Sequence, residues 1–185
     1  MALLKNRKYR KGFSLLELLL VLGIIAALIV SVFIIYPKIQ AAQRVEAEVK
    51  NIAAIQAGVQ SVYASTTSYS GLFNAPMIRA NIFPDNMIKR SGFTSRIVNS
   101  WGGYVDLSSA DTGPSGTPGS VFTIIYQGVP SAECSKLISA TAASFYIIQV
   151  GSVTVKNIDG AISTGNVSSA CSADENSNTL IFTSL

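Results

Sequence analysis

The stretch Lys11–Glu17, KGFSLLE, and the apolar run Leu18–Tyr36 that follows it decide the fold. The run contains no charged side chain, and its nineteen residues would form a helix about 28 Å long at about 1.5 Å per residue. This length is close to the thickness of a bilayer core, and a helix satisfies its own backbone polar groups in lipid. With basic residues before it, the run predicts a membrane-spanning helix.

Glu17 lies at the front of this apolar run. A lone carboxylate is costly to place in lipid, so an acid at this position predicts a function and needs a partner. If the chain is cut between Gly12 and Phe13, the new amine of Phe13 lies one helical turn before Glu17, on the same face. Glu17 could instead pair with the Phe13 amine of a second, identical chain. In the alternative interpretation, Glu17 interacts only with the positive end of the helix dipole.

The same block resembles the N-terminal signature of type IV pilins and their relatives. The matching residues are a short basic leader that ends in Gly12 and the stretch Phe13–Ala26, FSLLELLLVLGIIA. In that family a membrane peptidase cuts after the glycine, on the cytoplasmic side, and methylates the new N-terminal amine. The resemblance implies that Gly12 is the cleavage residue and Phe13 the methylated first residue. It also implies that Glu17 pairs with the N-terminus of a neighbour during assembly.

The distribution of charge predicts the topology. The chain has 185 residues and a formal net charge of +4, with fourteen basic and ten acidic side chains. Five of the basic residues belong to the leader, so the rest of the chain is close to neutral and we expect no nucleic-acid partner. They are Lys5, Arg7, Lys8, Arg10 and Lys11. Because basic residues stay on the cytoplasmic side, the C-terminal bulk is predicted to be periplasmic. An ordinary secretory signal fits poorly, since no small-x-small cleavage site precedes Pro37.

The two cysteines of the sequence are Cys134 and Cys171. An even number of cysteines in a chain predicted to be exported favours a disulfide, which would stabilise the fold by about 4 kcal/mol. Two free buried thiols are the alternative. A metal pair is a remote third interpretation, because the sequence contains no histidine and a zinc site would need an unusual ligand set.

The apolar run continues into an amphipathic helix. From Ala42 to Tyr63, hydrophobic residues recur at three- and four-residue spacing with polar residues between them. No strong breaker precedes Ser65, so the sequence predicts one helix of about fifty residues, roughly 78 Å long. The heptad needed for a coiled coil is not sustained. The predicted division is a removed leader 1–12, a transmembrane and assembly helix 13–36, an amphipathic half-helix 37–64 and a globular head 65–185.

The head is predicted to have an α+β fold, with the long helix packed under a mainly antiparallel sheet. Residues Ser65–Ser100 are irregular, with a short helix at Asp85–Arg90, and 108–120 form a loop. A helix capped by Ser131 runs from Ala132 to about Ala143, and Cys171 falls in a loop before the last strand. The predicted strands are Trp101–Leu107, Val121–Tyr126, Phe145–Val150, Val153–Ile158 and Thr179–Thr183.

A second, looser resemblance concerns the head. The segments Ala132–Ser139 and Tyr146–Ile148, the head size and the wide cysteine spacing resemble type IVb pilins, including those of toxin-coregulated and bundle-forming pili. The short leader and the Phe13 start depart from that class. The resemblance implies a type IV pilin fold with a disulfide-closed C-terminal region.

We find no catalytic constellation in the sequence. The absence of histidine excludes a Ser-His-Asp or Cys-His arrangement, and there is no phosphate-binding loop or dinucleotide fingerprint. We therefore expect no enzyme, no cofactor and no metal. Lys89, Arg90 and Arg96 flank Phe93, a cluster that could contact nucleic acid but is better interpreted as a solvated or intersubunit surface.

The resemblance implies a structural subunit of a type IV pilus, made as a single-pass inner-membrane prepilin with a periplasmic head and polymerised into an extracellular fibre for adhesion or aggregation. The implied partners are further copies of the chain, the prepilin peptidase, the assembly ATPase, the inner-membrane platform and the secretin. The alternatives are a major pseudopilin of a type II secretion system and a minor pilin that acts as a tip binding module. The long head and the predicted disulfide favour a pilin over a pseudopilin.

Overall fold

A computed structural model of the chain describes residues 13–92, 94–158, 160–171 and 178–185, except for the side chain of Ile34. The predicted leader 1–12, including Gly12, and the aromatic residue Phe93 lie outside the described residues. The chain divides into two compact units, Met1–Gln40 and Ala41–Leu185.

Helix α1, Leu15–Val62, has 48 residues and contains Pro37. The prediction of one helix of about fifty residues is confirmed. The described side chains of α1 as far as Ile39 are exposed, and the mean hydropathy of the most apolar 18 residues is 3.3. By length and composition, this described helix is apolar enough to cross a membrane.

The second half of α1 belongs to the unit Ala41–Leu185 and carries one buried stripe. Val45, Ile52, Ile55 and Val59 are buried, at the spacing that places them on one helical face. They join one continuous hydrophobic core with the strands. Gln56 Nε2 also donates hydrogen bonds to the Ser144 carbonyl and to Ser184 Oγ, both at 2.9 Å, so polar contacts reinforce the packing.

The described residues form seven strands in two antiparallel sheets. The strands are β1 Ile88–Ser91, β2 Thr94–Ile97, β3 Val105–Ala110, β4 Val121–Val129, β5 Ile147–Val150, β6 Val153–Lys156 and β7 Asn178–Ser184. Strands β1 and β2 form a hairpin, and the other five are ordered β3-β4-β7-β5-β6, all paired antiparallel. The last strand therefore lies in the interior of the larger sheet. There Phe182 of β7 contacts the rings of Tyr126 and Phe145, with ring centres 6.1 and 5.1 Å away.

Three further helices complete the described head: α2 Asn74–Arg79, α3 Ser131–Thr141 and α4 Thr164–Ala170. Helix α3 packs on β7, and its residues Leu137 and Ile138 are fully buried. Cys134 on α3 is joined by a disulfide to Cys171 at the end of α4, with the Cα atoms 5.8 Å apart. The predicted disulfide is confirmed, and it ties α4 to α3.

Several local predictions are wrong in detail. Asp85–Arg90 contains a single 3-10 turn, Asp85–Met87, and then becomes β1, because pairing with β2 offers these residues a cross-strand partner. Helix α3 begins at Ser131 itself, with Pro130 at the N-cap position. Cys171 lies directly after helix α4, which the sequence pattern does not predict.

The strand predicted at Trp101–Leu107 begins only at Val105. Gly102 has a φ of +85° and takes part in a tight turn, closed by the Gly102 N–H donating to the Asn99 carbonyl at 3.0 Å. Left-handed backbone of this kind does not continue a strand. The strand is therefore shorter at its start and extends instead to Ala110.

Candidate functional site

The described part of the predicted assembly site consists of Phe13 and Glu17. Phe13 precedes α1 and is 84% exposed. The backbone N–H of Leu18 donates to the Ser14 carbonyl at 3.1 Å, so the helical hydrogen bonds begin at Ser14. Glu17 is the acidic residue of the first turn, one turn beyond Phe13. The structure thus places both groups at the start of the helix, while Gly12 lies outside the described residues.

Glu17 has no cationic partner among the described residues. The single ion pair between described side chains joins Lys50 Nζ to Glu46 Oε1 at 2.8 Å, far along the helix. A negative charge in the first turn is favoured by the helix dipole, by about 0.3–1 kcal/mol. The apolar side chains that follow Glu17 are exposed on every face of the helix. Such a surface requires cover from lipid or from other apolar helices.

Ser31 shows how the apolar half of the helix accommodates a polar group. Its hydroxyl donates back to the carbonyls of Ala27 at 3.0 Å and Leu28 at 2.8 Å. The hydroxyl is thereby satisfied within its own helix, as a polar side chain in hydrocarbon must be. The residue is therefore compatible with a surface that loses contact with water.

A second acidic residue of α1, Glu48, is fully buried in the head. One carboxylate oxygen accepts hydrogen bonds from the backbone N–H of Ser100, at 2.7 Å, and from the Ser100 hydroxyl. The other accepts from Asn51 Nδ2 at 3.3 Å. No described cation pairs with Glu48. The carboxylate therefore fastens the turn after Val98 to the long helix through hydrogen bonds alone.

The turn that meets Glu48 is shaped by Asn99. Its side-chain oxygen accepts from the backbone N–H groups of Trp101 at 3.0 Å and Gly103 at 2.9 Å, and its Nδ2 donates to the Gln127 carbonyl at 2.8 Å. A Cβ at Gly103 would come within 1.7 Å of that carbonyl oxygen, so the position has no room for a side chain. Asn99 and Gly103 together present Ser100 to Glu48.

Tyr126 is a further buried polar residue, next to Glu48. Its hydroxyl lies close enough to the Glu48 carboxylate for the two groups to interact. Burial raises the pKa of Tyr126 well above its usual value of about 10, and the negative charge of Glu48 raises it further. The head therefore stabilises the neutral phenol.

The burial of Glu48 is not predicted above, since Glu48 is one of the polar residues between the apolar positions of the helix. A signal was present, because Val45, Glu48, Ile52 and Ile55 follow the three- and four-residue spacing of the buried stripe itself. A carboxylate on an apolar stripe indicates an internal partner. Within the described ranges, His, Cys, Asp and Glu side chains do not gather in groups that could hold a metal ion.

Two solved structures are similar to this chain in fold. The chain is similar to a type IVb pilin from Salmonella typhi, with a TM-score of 0.59 and 22% identity over 74% of this chain and 97% of that one. It is also similar to TcpA, a type IV pilin from Vibrio cholerae El Tor biotype, with a TM-score of 0.57 and 17% identity over 77% and 99% of the two chains. The fold is therefore that of a type IV pilin, of the type IVb kind.

The chain belongs to the PilS family. The family profile described as PilS N terminal matches residues 42–185, and the prokaryotic N-terminal methylation motif matches residues 7–33. Two curated relatives are the major structural subunits of the bundle-forming pilus from Escherichia coli O127:H6 and O111:H-. Each is 26% identical over 106 residues, which is 57% of this chain and 54% of the relative. The match thus spans about half the length of these relatives.

Replacing Glu48 by Ala should lower the free energy of unfolding by about 2–4 kcal/mol, because the donors on Ser100 and Asn51 lose their buried acceptor. Denaturant unfolding of the full chain in detergent micelles measures this, with Trp101 fluorescence reporting on the turn. The matched control is Glu46→Ala on the exposed face of the same helix, whose unfolding curve should stay close to that of the unsubstituted chain because exposed ion pairs contribute little. Equal effects of the two substitutions would contradict the anchoring role of Glu48.

Stability should fall in alkali because of Tyr126. Above about pH 10 the unfolded chain releases the phenol proton while the folded chain keeps it. The free energy of unfolding then drops by about 1.4 kcal/mol per pH unit from this group, and below pH 10 the contribution is constant. Urea unfolding across this range should show a shallower decline for Tyr126→Phe. The same variant should be almost unchanged near neutral pH, and an unaltered alkaline decline would refute this assignment.

Proposed function

We propose that the chain is a structural subunit of a type IV pilus, made as an inner-membrane prepilin and polymerised through its N-terminal helix into an extracellular fibre. One observation carries this proposal: the first half of α1 exposes apolar side chains on every described face and has a single acid in its first turn. Membership of the PilS family and the methylation motif support it.

Processing is proposed to occur between Gly12 and Phe13. The methylation motif spans residues 7–33 and so includes both sides of this bond. The prepilin peptidase would cut on the cytoplasmic side and methylate the Phe13 amine. Because a methylated amine keeps its positive charge, the modification preserves the charge available for pairing with a carboxylate.

Assembly is proposed to pair Glu17 of one copy with the Phe13 amine of its neighbour. In hydrocarbon, two isolated charges are costly, and pairing them offsets part of that cost. Lipid covers the apolar half-helix before polymerisation, and sister helices cover it afterwards. Packing between helices and the ion pair, rather than the hydrophobic effect, then favour association, because lipid is as apolar as the partner helix.

The head is proposed to face the periplasm before assembly and the fibre surface afterwards. The Cys134–Cys171 disulfide fits this location, since disulfides persist in oxidising compartments. The further partners proposed are the assembly ATPase, the inner-membrane platform and the secretin. The proposed role of the subunit is structural and adhesive rather than catalytic, in keeping with a sequence that contains no histidine.

Glu17→Gln tests the assembly site without changing side-chain size. Cleavage after Gly12 should continue, but the yield of sheared filaments should fall at least about tenfold, because the Phe13 amine of each neighbour loses its buried counter-charge. Immunoblots of sheared and envelope fractions measure both quantities, and a Gly12→Leu chain marks the position of uncleaved precursor.

The matched control is Glu46→Gln, which removes the same charge from the same helix at an exposed site paired with Lys50. This variant should yield filaments as the unmodified chain does. Normal filament numbers from Glu17→Gln would remove the pairing proposal.

A further inference from the structure

The β1-β2 hairpin separates its charged side chains onto two faces. In the antiparallel register, Lys89 lies opposite Arg96 and Ser91 opposite Thr94. Because strand side chains alternate, these four share one face. Arg90 lies on the other face of the hairpin, which it shares with the buried Ile97. One hairpin thus carries two cations on one face and a third on the opposite face.

The face with two cations lines a cavity of about 440 Å³, which we call the basic pocket. Its walls include Lys89, Ser91, Thr94 and Arg96, with Gly102 and Tyr104 from the neighbouring turn. The guanidinium carbon of Arg96 lies 5.0 Å from the centre of the Tyr104 ring, a cation–π distance. The ring therefore favours this position of the guanidinium at the pocket wall.

The positive charge of this pocket is uncompensated by the described residues. Like charges directly opposite on neighbouring strands are destabilising. No described carboxylate forms an ion pair with Lys89 or Arg96. An anion placed between the two groups would remove this repulsion. The pocket also presents two hydroxyl groups, and Thr94 uses its own to donate to the Ser91 carbonyl at 2.9 Å, which leaves it free to accept.

We propose that the basic pocket binds an acidic saccharide, a sugar unit that carries a carboxylate or a sulfate. The Arg96 guanidinium matches such a group with two parallel hydrogen bonds, and Lys89 adds a point charge. Ser91 and Thr94 bind sugar hydroxyls, and the partly exposed Tyr104 ring offers an apolar edge. The volume lies within the range of small-molecule sites. This site belongs to the head and does not depend on polymerisation.

Nucleic acid fits this geometry less well. Single-stranded nucleic acid needs a basic groove that follows the backbone and free aromatic faces on which bases stack. Arg96 already lies over the Tyr104 ring, and Arg90 is on the opposite face of the hairpin. The charge is therefore concentrated at one pocket rather than along a track.

Isothermal titration calorimetry of the full chain, held in nanodiscs of uncharged phosphatidylcholine, tests the proposal. The probes are trigalacturonate for carboxylates alone, a heparin-derived tetrasaccharide for sulfates together with carboxylates, neutral cellotetraose, inorganic phosphate and a short single-stranded DNA. We expect saturable binding of at least one acidic saccharide, weakened by added salt. Binding of the heparin fragment without binding of trigalacturonate shows that the site requires sulfates, and binding of trigalacturonate shows that carboxylates suffice.

The variants distinguish a specific binding site from non-specific attraction between charges. Arg96→Gln should lower the affinity about tenfold or more, whereas Arg90→Gln, on the other face of the same hairpin, should change it less than about twofold. Tyr104→Leu should also weaken binding with the charge retained, and Tyr104→Phe should not. Unfolding curves check that each variant is folded.

Four results would overturn the proposal. They are no binding of either acidic saccharide, equal losses from Arg96→Gln and Arg90→Gln, equal affinity for cellotetraose, and tighter binding of phosphate or DNA than of both acidic saccharides. The last result would assign the pocket to phosphate groups instead.

Discussion

The continuity of one helix is the constraint on which the rest of the structure depends. Helix α1 keeps its helical structure from Leu15 to Val62, past Pro37, and its two halves have different surfaces. The first half has apolar side chains exposed on every described face, and the second has a single buried stripe that completes the core of the head. The apolar first half of such a helix can be removed from water only by contact with lipid or with other chains.

The acidic residues of α1 illustrate how the surroundings decide what a carboxylate does. Glu46 is exposed and pairs with Lys50 one turn later, a contact worth little in water. Glu48 is fully buried and receives its hydrogen bonds from Ser100 and Asn51. Glu17 stands at the start of the apolar half without a described partner. Of the three carboxylates, Glu17 is the one whose counter-charge must come from another molecule or from the processed N-terminus. This requirement is the physical basis of the assembly proposal.

Much of this fold is readable from local sequence pattern. The long helix, the β-branched strand that became β4, helix α3 and the disulfide all follow from spacing, composition and compartment, because each signal lies within a short segment or in a cysteine count.

The hairpin β1-β2 could not be predicted in this way, since Lys89 and Arg96 become neighbours only through pairing. Helix α4 is short and rich in Ser, Gly and Ala, so its position depends on the Cys171 bridge and on contact with β6. The buried role of Glu48 likewise depends on a turn fifty-two residues away in the chain. For the candidate assembly site, the roles of Gly12, Phe13 and Glu17 remain predictions from the N-terminal motif.

The proposed sequence of membrane insertion, cleavage and polymerisation yields one chemical species in the filament, the processed chain. Intact-mass spectrometry of filaments sheared from cells, before and after reduction, identifies that species most directly. We expect a chain that begins at a methylated Phe13 and gains two hydrogens when the Cys134–Cys171 bridge is reduced. Filaments that lack this protein, or that contain it with an uncleaved Met1 start, would contradict the proposed processing and assembly.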